Sequence, residues 1–129
     1  MGQLREFVPE HSVVTAYNGS GSEIAAGLGV RRSGSTDDQA ALPAAVTSVG
    51  WGVTKESIPN LGYGGIQTAG RVKAVCSAAI DVGALVDCGA DGKFLTHSTG
   101  TIWGKALTAT LLADEEFELE LSVVATAVA

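Results

Sequence analysis

The chain has 129 residues, the usual size of one domain with one modest core. Its composition is 46% hydrophobic but only 5% aromatic and 17% charged, so small aliphatic residues supply most of the apolar content. The net charge of −6 excludes a general nucleic-acid binder, because such affinity comes from clustered Lys and Arg.

Other bulk features concern membranes, export and association. No run approaches the roughly 20 apolar residues that a membrane helix needs, and the N-terminal sequence lacks the pattern of a secretory signal. We therefore expect no membrane partner and synthesis in a cytoplasm. A core built from small residues is thin, which favours association with further copies or with a larger partner.

Residues 1–12 differ from the rest of the chain in the spacing of their apolar residues. Leu4, Phe7 and Val8 are apolar but follow neither a helical nor a strand period, and Pro9 limits continuous pairing. The segment therefore predicts an extended N-terminal arm that lies on another surface, with these three side chains as its contacts. Residues 13–129 are expected to form a single β-rich domain.

Glycine punctuates the remaining chain every few residues, and the intervening runs are short and β-branched, which is typical of an all-β sandwich or barrel. Predicted strands cover residues 12–17, 27–31, 45–54, 64–69, 71–77, 84–87, 94–97, 101–107 and 117–124. The last is the clearest, because Phe117, Leu119 and Leu121 alternate with polar residues, so that one face enters the core.

Two connecting segments carry turn chemistry. Residues 33–45 favour either one short helical turn, capped by Thr36 or Asp37 and stopped by Pro43, or a disordered surface loop. Asp91-Gly92 predicts a β-hairpin between the strand that ends near residue 88 and the one that begins at residue 94.

An internal echo links the two halves of the chain. Ile24-x-x-Gly27 precedes Trp51-Gly52, and Ile80-x-x-Gly83 precedes Trp103-Gly104 at a similar interval. If the echo is not chance, two similar β units pack together to close one barrel and bury an apolar face that neither buries alone. Trp51 and Trp103 are then candidate anchors, either in the core or at an interface.

The order of these motifs resembles that of the small capsid decoration (cement) proteins of tailed phages. It runs from I-A-A-G and W-G-V through G-G-I-Q-T-A-G-R-V-K-A-V, A-I-D-V-G-A-L-V, A-D-G-K-F-L-T and I-W-G-K-A-L to F-E-L-E-L, over residues 20–124. Each motif alone is ordinary turn chemistry, and their number and order carry the resemblance.

The resemblance implies a compact β-barrel or β-tulip that binds the outer surface of an icosahedral phage head as a non-enzymatic structural subunit of the virion. It also implies the major capsid protein as partner, self-association as a trimer on the capsid, head stabilisation, and synthesis in the host bacterial cytoplasm. The longer N-terminal stretch and the insert around residues 33–43 depart from the family pattern.

The sequence offers little for catalysis or metal binding. His11 and His97 are the only histidines, neither accompanies a nucleophile elbow, and the paired carboxylates lie in acidic runs without metal-ligand spacing. Cys76 and Cys88 read as reduced, buried thiols. We therefore predict no catalytic residue, no metal and no cofactor.

Two alternative functions remain at this stage. A carbohydrate- or ligand-binding β-module of the same phage would need a row of exposed aromatic side chains, which are scarce in this chain. A lipoyl-type carrier domain would need a lysine at a hairpin tip. Lys93 follows Asp-Gly but lacks the residues that surround the lysine in such carriers.

Overall fold

The structure is a computed structural model that describes residues 13–33 and 38–122. Within them the chain forms strands and turns and no helix, which confirms the all-β expectation. The strands are β1 (Val13–Asn18), β2 (Gly29–Arg32), β3 (Gln39–Ala41), β4 (Gly52–Thr54), β5 (Tyr63–Gln67), β6 (Ala69–Val75), β7 (Leu85–Cys88), β8 (Phe94–Thr96), β9 (Gly104–Ala106) and β10 (Glu116–Ser122). No helix among the described residues is long and apolar enough to cross a membrane.

Strands β1 to β5 form a closed barrel in the order β1-β3-β2-β4-β5, with β1 paired again to β5. The β1–β3 pair is parallel, whereas the other pairs in this barrel are antiparallel. Seven buried side chains fill its interior: Ala16, Ile24, Val30, Ala40, Trp51, Ile58 and Ile66. This closed barrel confirms the predicted compact β-barrel.

Strands β6 to β10 repeat this arrangement as a five-stranded sheet in the order β6-β10-β9-β7-β8. The parallel bridge between Cys76 and Phe94 is equivalent to the pairing of Asn18 with Ala40 in the barrel. We call residues 13–67 repeat 1 and residues 69–122 repeat 2. The core of repeat 2 is centred on Phe94, Trp103 and Phe117, whose rings meet edge to face.

Backbone hydrogen bonds show that the sequence echo is structural. Ile24 and Ile58 exchange backbone bonds in repeat 1, as Ile80 and Thr110 do in repeat 2. The glycine of each I-x-x-G turn has a positive φ, 83° at Gly27 and 85° at Gly83, which a side chain would disfavour. The expectation that both units close one barrel is wrong, however, because strands β1 to β5 close a barrel by themselves and β6 to β10 form a separate sheet.

The contact between the repeats, here called the seam, explains why only repeat 1 is closed. In repeat 1 the Tyr17 N–H donates to the Asp38 carbonyl at 2.6 Å. The equivalent groups of repeat 2 bond to repeat 1 instead: the Val75 N–H donates to the Gly27 carbonyl at 3.0 Å, and the Gly92 carbonyl accepts from the Gly29 N–H at 2.8 Å. The Gly27–Gly29 segment is thus inserted where repeat 2 would otherwise close.

Glycines make this close approach possible. A Cβ on Gly29 would lie 2.5 Å from the Cys88 Sγ, and a Cβ on Gly50 would lie 2.5 Å from the Trp103 ring. Either atom would force its neighbour to shift, because protein interiors are close-packed. At the seam, side chains of repeat 2 therefore pack directly against the glycine backbone of repeat 1.

Two sequence expectations need correction. The segment from 33 to 45 contains strand β3 rather than a helical turn in its described part, because Gln39–Ala41 pairs with both β1 and β2. The predicted strand 45–54 shrinks to Gly52–Thr54, because the Ser48 hydroxyl accepts from the Ala44 and Ala45 N–H groups and folds that stretch into a turn. The proposed caps Thr36 and Asp37 lie outside the described residues.

Other expectations are confirmed. The β7–β8 hairpin forms at the Asp-Gly turn, with φ of 80° at Gly92, although Asp91 keeps a negative φ. In β10, Phe117, Leu119 and Leu121 face the core. The intervening carboxylates lie beside cations on β6, as in the 3.6 Å Arg71–Glu118 ion pair.

Candidate interaction surfaces

His97 has a structural role near the seam, where it contacts Asp87. Its Nδ1 lies 2.6 Å from a carboxylate oxygen of the buried Asp87, whose second oxygen accepts the N–H groups of Ser98 and Gly100. The loop held in this way continues into Thr101, which bonds to the backbone of repeat 1. The Asp87–His97 pair therefore shapes a loop that joins the two repeats. His11 lies outside the described residues.

The cysteine thiols are buried, and the side chains that could bind a metal are not clustered. Cys76 and Cys88 are free thiols in the core of repeat 2. Burial raises the pKa of the Cys88 thiol far above its ordinary range, chiefly by desolvation, so the reactive thiolate is suppressed. Among the described residues no three His, Cys, Asp or Glu side chains come together as a metal site.

The two tryptophans occupy equivalent positions with different surroundings. Trp103 is fully buried, stacks edge to face on Phe94 at 5.6 Å and covers Gly50 of repeat 1. Trp51 lies in the core of repeat 1, but its ring is covered by the Arg32 guanidinium at 4.1 Å rather than by another repeat. Leu4, Phe7 and Val8, the predicted arm contacts, lie outside the described residues.

Trp51 belongs to a surface that we call the tryptophan face of repeat 1. It comprises Tyr17, Arg32, Val49, Trp51 and Tyr63, grouped because their equivalents in repeat 2 all lie at the seam: Val75, Cys88, Thr101, Trp103 and Glu116. The equivalent face of repeat 2 is covered by the seam, whereas here Val49 is 43% exposed and Tyr63 is 69% exposed. The two tyrosine rings lie 5.1 Å apart. Exposed apolar side chains at these positions mark a candidate interaction site.

The second bare surface is the turn face of repeat 2, defined by residues 82–85 and Ile102. Its counterpart in repeat 1 is buried against repeat 2: a Cβ on Gly27 would lie 3.0 Å from Val75, whereas one on Gly83 would meet nothing within 4 Å. Val82 is 66% exposed and Leu85 is 45% exposed. The turn face is therefore apolar and open.

Loops before the last strand of each repeat expose leucines. We call the segments 59–62 and 111–115 the leucine loops; Leu61, Leu111 and Leu112 are all exposed. The Glu115 carboxylate accepts the N–H groups of Leu111 and Leu112, and these two bonds lower its pKa. The second loop is thus braced in the shape that presents its leucines.

A groove of about 430 Å³ runs along the seam. Its lining includes Lys55, Arg71, Lys73, Glu116 and Glu118. Two of the cations have partners that also line the groove: Arg71 pairs with Glu118, and the Lys55 ammonium donates to Gln67 at 3.4 Å. The mixed charge gives the groove no clear preference for an anion or a cation.

Sequence reasoning identified Trp51 and Trp103 but missed both bare faces. The repeated motifs contained a signal for these faces. When Gly27 is aligned with Gly83 and Trp51 with Trp103, Gly29 aligns with Leu85 and Gly50 with Ile102. A glycine in one repeat and a large apolar residue in the other indicates that the two copies of this face meet different surroundings.

Comparison with known proteins identifies the fold through structure. No protein-family description matches the sequence, and no curated protein matches it. Among solved structures, the chain is similar to the head fiber gp8.5 N base of bacteriophage phi29, with a TM-score of 0.69 and 18% identity over 85% of this chain and 92% of that one. The protein described here thus has the fold of a phage head fiber base.

Proposed function

We propose that the chain is a structural, non-enzymatic subunit of a phage virion, a decoration or cement protein that binds the outer surface of an icosahedral head and stabilises it. The observation that carries the proposal is the fold shared with the phi29 head fiber base over nearly the full length of both chains. The order of sequence motifs, which resembles that of decoration proteins, supports the same role independently.

Residues 1–12 are proposed as an adhesive arm on the major capsid protein. Leu4, Phe7 and Val8 supply apolar area, each side chain being worth about 1.5 to 3 kcal/mol on full burial before the entropy of ordering is subtracted. The chain enters the barrel at Val13, which pairs with Gln67 at the rim of the seam groove. An arm leaving from this point starts at the protein surface.

The leucine loops are a second proposed contact with the head. Glu115 holds the backbone N–H groups of Leu111 and Leu112, so less backbone entropy is lost when these leucines bind. Leu61 occupies the corresponding loop of repeat 1. Small contributions per copy add up on the shell because linked contacts raise the effective affinity.

Association of copies into trimers on the head is part of the proposal. The number three comes from the resemblance to decoration proteins, and the bare apolar faces of the two repeats give a physical motive for association. The virion location and synthesis in the host cytoplasm follow from the same role. Copies seen singly on the shell would exclude the trimer.

The experiment is a pelleting assay with heads that lack this protein. Purified protein is mixed with the heads, the particles are sedimented, and the bound protein is quantified against a parallel sample without heads. We expect saturable binding at a fixed number of copies per head, and heads that resist heating or dilution better than bare ones. Absence of the protein from the pellet would contradict the proposal and favour a ligand-binding module instead.

A further inference from the structure

The seam joins two unlike surfaces. Repeat 1 contributes its turn face, through Gly27, Gly29 and Gly50, and repeat 2 contributes its tryptophan face, through Cys88 and Trp103. A contact between unlike faces is heterologous, and every heterologous pair leaves one face of each kind bare at its ends. In this chain the bare faces are the tryptophan face of repeat 1 and the turn face of repeat 2.

Both bare faces carry exposed apolar side chains, as a surface that becomes buried would. Val82 and Leu85 are exposed on the turn face, and Val49 and Tyr63 are exposed on the tryptophan face. Gly29 and Thr101, the counterparts of Leu85 and Val49, are buried in the seam, and Ala26 and Glu116, the counterparts of Val82 and Tyr63, line the groove beside it. Exposed apolar residues at these four positions mark both faces as candidate contact surfaces.

One opposite-charge pair can form between the two faces. Arg32 is exposed above Trp51 on the tryptophan face. The turn face is bordered by the exposed Asp81, next to Val82, and by the exposed Lys105, the cross-strand partner of Leu85. Arg32 can therefore pair with Asp81 when unlike faces meet, whereas two tryptophan faces would bring Arg32 against Arg32.

We propose that a second copy of this chain docks head to tail, its turn face of repeat 2 packing on the tryptophan face of repeat 1. The seam within each chain is the template, with one change of detail. Leu85 and Ile102 replace the glycines Gly29 and Gly50, and the Tyr17–Asp38 bond keeps repeat 1 closed. The copies therefore pack through side chains and do not insert backbone.

Head-to-tail contacts of this type close into rings or continue as chains according to the rotation between copies. The inference rests on the proposed function for its purpose, since it names the surfaces through which decoration subunits would meet. Its test needs no heads, so failure to associate and failure to bind heads can be told apart.

The experiment is a complementation test by sedimentation velocity at concentrations up to about 1 mM, where even a weak contact is half-formed. Leu85→Glu disables the turn face, and Val49→Glu disables the tryptophan face. The wild-type chain should associate, and each variant alone should remain monomeric or associate at least about tenfold more weakly. An equal mixture of the two should form a one-to-one dimer and nothing larger, because one intact face of each kind remains.

Other results would overturn the proposal. A wild-type chain that stays monomeric throughout, a Val49→Glu variant that associates like wild type, or a mixture that does not pair would each exclude the head-to-tail contact. Val82→Glu and Tyr63→Lys repeat the test on each face if a first variant unfolds, which thermal melting shows. Glu23→Lys, a charge change at an exposed residue that belongs to neither face, should associate like wild type.

Discussion

Trp103 and Trp51 occupy the same position in the two repeats, but only Trp103 is sealed by a neighbouring repeat, with its indole ring over Gly50. Trp51 is covered by Arg32 instead. The same strand arrangement thus produces one surface that is buried within the chain, around Trp103, and one that is not covered by another repeat, around Trp51. The stability of the chain should depend strongly on the buried contact around Trp103.

Gly50→Ala tests the seam. The added Cβ would lie 2.5 Å from ring atoms of Trp103, which is too close for a buried contact. We expect the free energy of unfolding to fall by about 1 to 3 kcal/mol in urea denaturation, as for other overpacked cores. Gly65→Ala is the matched control, because its Cβ would meet the nearest side chain, Val13, at an ordinary 3.6 Å. Equal destabilisation by both variants would show that the seam is not specially packed.

Asp87→Ala tests the loop that links the repeats. The substitution removes the acceptor for His97 and leaves the N–H groups of Ser98 and Gly100 without their carboxylate. We expect a loss of about 2 to 4 kcal/mol of unfolding free energy, because a buried charged acceptor with several partners is removed. The amide resonances of Ser98 and Gly100 should shift with it. Asp91→Ala, at the exposed hairpin tip, should cost much less.

Glu115 makes the second leucine loop sensitive to acid. Its pKa is lowered by the bonds from the Leu111 and Leu112 N–H groups, so the carboxylate favours the folded loop at neutral pH. A lowered pKa in the folded state means that this contribution is present above the pKa of the unfolded chain and is lost as the pH falls through the folded value. The two leucine amide resonances should therefore titrate below the ordinary glutamate range, and Glu115→Gln should abolish this titration. Amides that titrate identically in the variant would contradict the bracing role.

Deleting residues 1–12 tests the arm. Because Leu4, Phe7 and Val8 are proposed to contact the capsid rather than the core, we expect a nearly unchanged thermal unfolding transition and markedly weaker head binding. The triple variant in which these three residues are replaced by serine is the matched control for length. A truncated chain that unfolds, or one that binds heads as well as the full chain, would show that the arm has another role.

The parts of the fold that were predictable are those set by local chemistry. The alternation around Leu119 fixed the face of β10, and Asp91-Gly92 fixed the hairpin. Strand β3 was missed because Gln39-Ala40-Ala41 has low strand propensity and is held by long-range pairing to β1 and β2. The seam was missed because it depends on Gly29 and Gly50 meeting side chains far along the chain.

Cryo-electron microscopy of heads mixed with the protein would show whether the chain decorates the shell. We expect added density on the outer surface of the shell, into which the two repeats of each copy fit. The copies should be grouped in threes, with each arm reaching the capsid lattice. Heads that show no added density, or density only inside the shell, would contradict a decoration role.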